Sequence, residues 1–287
     1  AFLVIAAILG PSLWKYGPYD QLDIVKLKNA HPSWAHPLGT DAASRDLLAR
    51  MLSGARISLA IATLAVVIST TVGTAYGLIA GYVGGRVDGV MMRFLDGFMS
   101  IPRVLLLLAA LTFWSHVPIW GLIALLGLTG WFGVSRLVRA ETLAAKRQEY
   151  IEAARALGVP TSRILWRHLL PNVAAPMFVS ATLSVGNVIA LEAGLSYLGI
   201  GAKPPTASWG SIFFDGVNEA GAQLVATNWW VAVFPGIAIV ATVLAFNMLG
   251  DALRDVADPR QLHVARRLPE SALLDSSDTA LQPSGNG

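Results

Sequence analysis

The sequence predicts an all-α membrane protein with about six transmembrane helices. Of 287 residues, 54% are hydrophobic and only 14% are charged, and the mean hydropathy is +0.57; an ordinary soluble domain is about 25% charged. The apolar residues also fall into long uncharged runs, namely Ile57–Ala80, Val104–Ser115, Val117–Ser135, Leu169–Leu191 and Trp229–Gly250. Crossing the hydrocarbon core takes about 20 apolar residues. The run at Val104–Ser115 reaches that length if Phe94–Ile101 is included and Arg103 faces protein or water.

The first 56 residues predict one span followed by an outer segment. Residues 1–14 are interpreted as a truncated first transmembrane helix, since a secretory signal would show a basic leader and a cleavage site. Residues 15–56 contain several X-Pro pairs that oppose continuous helix. Within this segment Asp41–Arg56 is predicted to be an amphipathic helix, capped by Asp41 and lying along the membrane surface.

Residues 57–252 are predicted to form the membrane core. Span two covers about 57–80 and carries Gly73, Gly77 and Gly81, a spacing typical of closely packed helices. Residues 84–93 are predicted to be a short inner loop, and Asp88, Arg93 and Asp96 to pair with one another. The remaining spans are predicted at about 94–115 with a kink at Pro102, at 118–137, at 172–195 and at 229–250. Residues 253–287 form a tail, expected to be disordered from about 265.

The charges of two loops predict the orientation. Residues 136–168 hold seven Lys and Arg residues against three Glu, whereas residues 199–228 hold Lys203 against Asp215 and Glu219. Basic residues concentrate in cytoplasmic loops, so we expect the first loop inside, the second outside and both termini in the cytoplasm. A basic loop can bind nucleic acid, but between membrane spans it indicates lipid phosphates or a cytoplasmic protein partner.

The inner loop reads RQEYIEAARALGVPTSRILWRHLLPN. A first helix is predicted over about 140–157, ended by Gly158 in the left-handed conformation and by Pro160. Thr161 or Ser162 then caps a second short helix that Pro171 stops or kinks. The small side chains of Ala153 and Ala154 are predicted to let the first helix lie deep in a partner's groove, and Glu152 offers that partner a charge. An exposed hairpin without a partner is the other interpretation of these residues alone.

This loop resembles a family motif. Glu152-Ala153-Ala154, Gly158 and Leu170-Pro171 resemble the EAA-x3-G-x9-I-x-L-P loop of binding-protein-dependent ABC importer permeases, with His168 where Ile is usual. Further stretches resemble the C-type permease of the dipeptide/oligopeptide/nickel branch; they are HPLGTD at 36–41, GARISL at 54–59, EAGLSYLG at 192–199 and DALRD at 251–255.

The resemblance implies a type I ABC importer permease in a bacterial inner or plasma membrane. It implies a homologous second permease subunit, two cytoplasmic ATPase subunits and an extracytoplasmic substrate-binding protein as partners. Peptides are the expected cargo, with nickel or another small solute as the alternative. The coupling positions carried over are Glu152, Ala153, Ala154, Gly158, His168, Leu170 and Pro171.

Three acidic residues near the predicted outer side are pathway or gate candidates: Glu192, Asp215 and Glu219. Ionisable residues in membrane spans are functional candidates by default. They could attract the positive end of a peptide or a metal cation. The other interpretation of Glu192 is a structural pair with an arginine at a subunit interface.

The sequence lacks three common motifs of ATP binding, metal-dependent proteolysis and serine hydrolase activity. The sequence contains no G-x4-G-K-[ST] phosphate loop, no H-E-x-x-H pair and no G-x-S-x-G elbow. We therefore expect no enzyme activity, no metal site and no cofactor in this chain, with ATP and Mg²⁺ bound by partner subunits. A secondary transporter or channel is the alternative of a different class, but it would need ion-coordinating or acid–base residues within the spans.

Overall fold

The computed structural model describes residues 2–114, 117–201, 206–218 and 228–257. Within these ranges the regular structure is helical, apart from an isolated bridge between Thr40 and Asp46. The helices are α1 (Phe2–Leu13), α2 (Leu47–Val83), α3 (Gly85–Met99), α4 (Arg103–Thr112), α5 (Ile119–Ala145), α6 (Glu149–Ala156), α7 (Thr161–Arg163), a π-helical turn (Ile164–Leu169), α8 (Leu170–Tyr197), α9 (Trp209–Asn218) and α10 (Trp229–Ala257).

Four stretches of helix in the described ranges are long and apolar enough to cross a membrane: α2, α5, Thr161–Tyr197 and α10. A fifth span results if α3 and α4 count as one broken helix. At 12 residues, α1 reaches only about 18 Å at 1.5 Å per residue, which is short of a bilayer crossing. The all-α membrane fold is confirmed, and the described residues contain four full-length spans, or five if α3 and α4 form one, against the six predicted.

The helices surround a core between α2, α4, α5 and α8. Ile61, Leu107, Leu126 and Ile189 are fully buried there, one from each helix. Leu64 on α2 and Met248 on α10 are instead 49% and 72% exposed on the outside of the bundle. Apolar residues on both faces are expected for helices that pack on one side and meet lipid on the other.

The predicted surface helix over 41–56 is wrong. α2 runs without a break from Leu47 to Val83, so the outer end and span two form one helix of 37 residues. Its cap is Asp46, whose carboxylate accepts the Ala49 N–H at 2.8 Å. Asp41 instead lies in the preceding loop, where it accepts the Arg45 N–H at 2.8 Å. At about 1.5 Å per residue α2 exceeds the bilayer thickness, so its first turns extend beyond the membrane.

The predicted close packing of the α2 glycines is confirmed. A Cβ atom on Gly73 would lie 2.7 Å from the Trp131 carbonyl oxygen, and one on Gly77 would lie 2.5 Å from that of Ser135. One on Gly81 would lie 2.8 Å from the Thr142 Cβ. Backbone approach this close is possible because α2 has no side chain at these three positions. The glycines therefore fix the distance between α2 and α5.

The predicted inner loop over 84–93 is also wrong. The turn is limited to Gly84 and Gly85, which have φ angles of 71° and 58°, and α3 begins at once. The predicted pairing among Asp88, Arg93 and Asp96 is not observed, because both aspartates bind α5: Asp88 accepts from Arg139 at 2.6 Å and Asp96 accepts from Arg136. These ion pairs hold α3 on α5.

The predicted break at Pro102 is confirmed. α3 ends at Met99, α4 begins at Arg103, and their axes differ by 74°. Pro102 is the N-cap residue of α4, a position where its missing N–H removes no intrahelical hydrogen bond. The predicted spans at 118–137, 172–195 and 229–250 fall inside α5, α8 and α10. The tail beyond Ala257, including the predicted disorder from about 265, lies outside the described residues.

We predict that Gly77→Ala destabilises the fold by about 1–3 kcal/mol, because the added methyl group has no space against the α5 backbone. The apparent melting temperature in detergent, followed by tryptophan fluorescence, should fall by several degrees. Gly133→Ala is the matched control, since a Cβ at Gly133 on α5 meets nothing within 4 Å. Equal melting temperatures for the two variants would contradict the role of the glycine contact.

Candidate functional site

The inner loop between α5 and α8 is a short exposed helix followed by a sharp turn. The predicted first helix over 140–157 is in fact two helices, because α5 continues to Ala145 and α6 begins at Glu149. Between them the chain turns through Lys146, whose ammonium group donates to the carbonyl oxygen of Tyr82 at the end of α2. The loop therefore begins at a point fixed to α2.

Gly158 ends α6 as predicted. Its φ angle is +72°, the left-handed conformation that glycine adopts without steric cost. The Gly158 N–H donates to the Arg155 carbonyl at 2.9 Å, and the Val159 N–H donates to the Ala154 carbonyl at 3.0 Å. This pair of bonds is a Schellman motif, which satisfies carbonyl groups that the end of a helix would leave free. A Cβ added at Gly158 meets nothing within 4 Å, so only the backbone conformation demands glycine here.

One face of α6 is anchored in the subunit. Ile151 is fully buried and Ala154 is 7% exposed. Ile151 belongs to a group of buried residues from α2, α5, the loop and α8, here called the Ile151 cluster: Leu78, Val134, Val138, Ile151, Ile164, Leu169 and Val173. The prediction that Ala154 faces a partner is therefore wrong. Its small side chain instead lets α6 lie against its own subunit.

The opposite face of α6 is exposed. Glu152 and Ala153 point away from the subunit as predicted, and Leu157 is 83% exposed. Leu157 was not singled out from the sequence, although an apolar residue beside a helix-ending glycine is a usable signal. Glu149 and Glu152 lie in the first turn of α6, where a negative charge is favourable to the helix dipole. The exposed surface therefore combines acidic and apolar groups.

Polar and aromatic contacts fix the ends of α6 to neighbouring helices. The Arg155 guanidinium lies 4.9 Å from the centre of the Tyr82 ring at the end of α2, a distance suited to a cation–π contact. The Asn172 amide on α8 donates to the Tyr150 hydroxyl at 2.9 Å. Sequence reasoning missed these contacts because they join segments that are far apart in the chain.

The last three motif positions lie where the loop joins α8. Residues Ile164–Leu169 form a π-helical turn, in which the Leu170 N–H donates to the Leu165 carbonyl. Pro171 does not stop the helix, the first of the two predicted effects, since it lies in the first turn of α8, where a proline is tolerated. The carbonyl of the half-buried His168 accepts from Asn172 at 2.6 Å, and Leu170 packs against the Ile151 cluster.

Glu192 is buried inside this chain. It is 1% exposed, and its Oε1 atom accepts from the hydroxyl groups of Ser196 and Ser208, each at 2.8 Å. Its Oε2 atom is buried without a hydrogen-bond partner among the described residues. Ser208 directly precedes α9, so Glu192 joins the outer end of α8 to the outer segment. The predicted alternative, an ion pair with an arginine, is not formed within the described part of this chain.

Asp215 on α9 belongs to a separate ionic group. Its carboxylate accepts from Arg50 at 2.7 Å and lies 3.9 Å from Arg45. Asp41 accepts from the same two arginines, at 2.6 Å from Arg50 and 2.7 Å from Arg45. Two carboxylates and two guanidinium groups thus compensate one another and join α9 to the start of α2. Glu219, the third predicted pathway residue, lies outside the described residues.

The HPLGTD stretch at 36–41 is held by buried contacts. His36 Nδ1 lies 2.7 Å from Asp46 Oδ2, and the Trp14 indole donates to Asp46 Oδ1 at 3.0 Å. The Trp230 indole donates to the Thr40 carbonyl at 3.1 Å. These bonds tie the segment to residues near α1 and to α2 and α10, which is a structural role. Among the residues that the structure describes, no group of three or more His, Cys, Asp or Glu side chains is arranged to hold a metal ion.

Comparison with known proteins gives consistent matches. Residues 73–263 match the family described as "Binding-protein-dependent transport system inner membrane component". The chain is 38% identical to the oligopeptide transport system permease protein OppC of Haemophilus influenzae, over 91% of this chain and 82% of that protein. It is also 38% identical to the dipeptide transport system permease protein DppC of Bacillus subtilis, over 90% of this chain and 79% of that protein.

The fold also matches a solved transporter. An inward-facing structure of the MetNI methionine ABC transporter superposes with a TM-score of 0.55 at 20% sequence identity. The match covers 72% of this chain and 96% of the chain compared. At this identity the match supports the fold alone and gives no information on the transported molecule.

We predict that Ile151→Ala loosens α6 from the subunit. Removing a buried aliphatic side chain costs about 2–5 kcal/mol, so transient opening of the loop should increase, and tryptic cleavage after Arg155 should accelerate at least about tenfold. The measurement is limited proteolysis of the purified chain in detergent. Leu157→Ala on the exposed face is the matched control and should leave the cleavage rate unchanged. An unaltered rate in Ile151→Ala would show that the anchor lies elsewhere.

Proposed function

We propose that this chain, which belongs to the family of binding-protein-dependent transport system inner membrane components, imports peptides across a bacterial inner membrane as half of an ATP-driven pathway. Family membership places it among ABC importer permeases rather than among secondary transporters or channels. The observation that carries the peptide assignment is the 38% identity, along nine-tenths of the chain, to permeases named for dipeptide and oligopeptide transport. Nickel or another small solute is the alternative cargo.

The loop geometry supports a coupling role for α6. Glu152, Ala153 and Leu157 form the exposed face that an ATPase subunit would contact, and Gly158 sets the turn behind it. Ile151 and Ala154 form the buried face. A displacement of α6 by a partner would therefore be transmitted to α2, α5 and α8 through the contacts of the Ile151 cluster. A partner shifts a conformational equilibrium only if it binds the two states with different free energies. A rigidly anchored helix changes its position when the subunit changes conformation, so a partner can bind the two states with different free energies. A mobile loop could follow the partner in both states.

The proposed assembly contains four kinds of partner. Two cytoplasmic ATPase subunits would bind ATP and Mg²⁺ and receive α6, and a homologous second permease would complete the pathway as a heterodimer. An extracytoplasmic binding protein would deliver cargo, and lipid would surround the exposed apolar faces of α2 and α10. The basic residues of the loop support a cytoplasmic position for α6, and with it a cytoplasmic end of α10. The N-terminus would also be cytoplasmic if α1 belongs to a sixth span.

The pathway role of Glu192, Asp215 and Glu219 stays a prediction. The contacts of the first two favour a different role, that of holding α9 on α8 and α2, because neither side chain is free to meet cargo. His168, Leu170 and Pro171 are proposed to shape the junction between the loop and α8. They would act by positioning α6 rather than by touching the ATPase.

Reconstitution tests the cargo assignment. Proteoliposomes containing this chain, its partner permease, the ATPases and the binding protein should accumulate radiolabelled trialanine only when ATP is present at the ATPase side. Nickel uptake under the same conditions is the comparison. Accumulation of nickel without trialanine would overturn the peptide assignment, and accumulation of trialanine without ATP would overturn the ATP-driven mechanism.

We predict that Gly158→Val uncouples ATP hydrolysis from uptake. The left-handed conformation costs a non-glycine residue roughly 1–2 kcal/mol, and a β-branched residue more, so the turn should rearrange and tilt α6. Uptake should fall to a small fraction of wild type while ATP hydrolysis continues and the chain remains in the membrane.

Gly158→Asn is the control for this substitution, because asparagine tolerates the left-handed region and nothing surrounds the position. It should retain most of the coupled uptake. Normal uptake by Gly158→Val, measured per molecule of ATP hydrolysed, would count against the role of this turn.

A further inference from the structure

Arg103 places a positive charge at the break between α3 and α4. It is the first residue of α4, after a bend of 74°, and its side chain reaches α5. Nη2 donates to the Leu126 carbonyl at 2.7 Å, and Nε lies 3.3 Å from the Thr129 hydroxyl oxygen. The Thr129 hydroxyl in turn donates to the Leu125 carbonyl at 2.8 Å. The guanidinium group is therefore held in one orientation by the α5 backbone.

This charge lies deep in the membrane. Thr129 is ten residues from the start of α5 at Ile119, or about 15 Å along the helix axis, which is half the thickness of the hydrocarbon core. Gly130 is adjacent to both Arg103 and Ser69, since a Cβ at Gly130 would lie 3.0 Å from Arg103 Nη2 and 3.3 Å from the Ser69 Cβ. Ser69 is in the middle of α2, which supports the same depth.

The charge has no carboxylate partner in the described part of the chain. The aspartates in ion pairs there are Asp41, Asp46, Asp88, Asp96 and Asp215, and each pairs with a residue other than Arg103. Arg103 Nη1 makes no hydrogen bond to the described residues. Arginine side chains inside membranes normally pair with an acidic group or with backbone carbonyls. Here the carbonyl satisfies one side of the guanidinium group and leaves the other open.

Arg103 also lines a cavity of about 330 Å³, together with Thr129 and Gly130. Its walls include the rings of Phe98 and Phe132, which stack with centroids 5.7 Å apart, together with Pro102 and Gly133. Met99 and Ile101 at its rim are 42% and 49% exposed, so the cavity opens away from the chain's own core. Ligand sites of this size are mostly apolar with a few fixed polar groups, as this one is.

We infer that this cavity is a carboxylate-binding site on the transport pathway, in which Arg103 receives the C-terminal carboxylate of the passing peptide. The free Nη1 donors offer charge-assisted hydrogen bonds to an anionic oxygen, and the aromatic walls suit the adjacent part of the peptide. Thr129 and Leu126 keep the guanidinium group in place as cargo leaves. The inference rests on the proposed peptide cargo and states that this site binds the C-terminal end of the peptide.

The test compares trialanine with trialanine amide, which lacks the C-terminal charge. Both are supplied at saturating concentration to proteoliposomes containing the complete complex, so the binding protein's own preference cancels between variant and wild type. Arg103→Gln should reduce uptake of trialanine about tenfold to a hundredfold, as expected for the loss of charge-assisted hydrogen bonds. Its uptake of the amide should change much less. Arg103→Lys should restore most of the trialanine uptake.

Controls separate this inference from simpler explanations. Arg93→Gln removes an exposed cation from α3 outside the cavity and should leave the ratio of the two peptides unchanged. Unaltered trialanine uptake in Arg103→Gln overturns the inference. Equal loss for both peptides also overturns it, and loss of the partner permease on co-purification would then identify a carboxylate of that subunit as the group that Arg103 binds. Absence of ATP-dependent trialanine uptake by the wild type would contradict the proposed function instead.

Discussion

The contact between α2 and α5 sets the geometry of the subunit. Gly73, Gly77 and Gly81 bring the two backbones to a separation that no larger residue permits. This contact continues to the inner ends of both helices. Leu78 from α2 is therefore buried with Val134 and Val138 from α5, and all three belong to the Ile151 cluster. The same approach places Arg139 beside Asp88 on α3. The position of the inner loop thus follows from helix packing within the membrane.

The inner loop combines a fixed face with an open one. Burial of Ile151, the Tyr150–Asn172 hydrogen bond and the Arg155–Tyr82 contact remove the freedom that a loop of this length normally has. Leu157 and Glu152 remain exposed on the other side. A helix that is rigid towards its own subunit transmits a displacement instead of absorbing it. In the proposed coupling role, anchoring would therefore matter as much as the residues that a partner touches.

The sequence was enough to predict the roles of single glycines. It was not enough to predict which face of a helix is buried or which distant residues pair. Gly158 was predictable because only a left-handed residue fits between α6 and Pro160, and the α2 glycines because their spacing repeats every helical turn. The cap of α2 was misplaced from Asp46 to Asp41, since both aspartates precede the same apolar run and only the fold shows which one faces Ala49. Ala154 was assigned to the wrong face because a pair of alanines does not indicate which side of a helix is buried. The Arg50–Asp215 pair joins residues 165 positions apart, which no local pattern predicts.

The distribution of paired and unpaired charges separates the structural sites from the candidate pathway. At the outer side, Asp41, Arg45, Arg50 and Asp215 compensate one another, and Glu192 lies among serine hydroxyl groups. Asp41 and Asp215 are therefore neutralised by arginines of this chain, and the Glu192 carboxylate is 1% exposed and bound through one oxygen atom, so none of the three is free to attract a cation. Arg103 differs from these groups, because it lies at mid-depth, is oriented by a carbonyl, lines a cavity and has donors with no partner among the described residues. A buried charge that stays unpaired is costly, which favours an anionic partner outside this chain, and we assign that role to the carboxylate of the cargo.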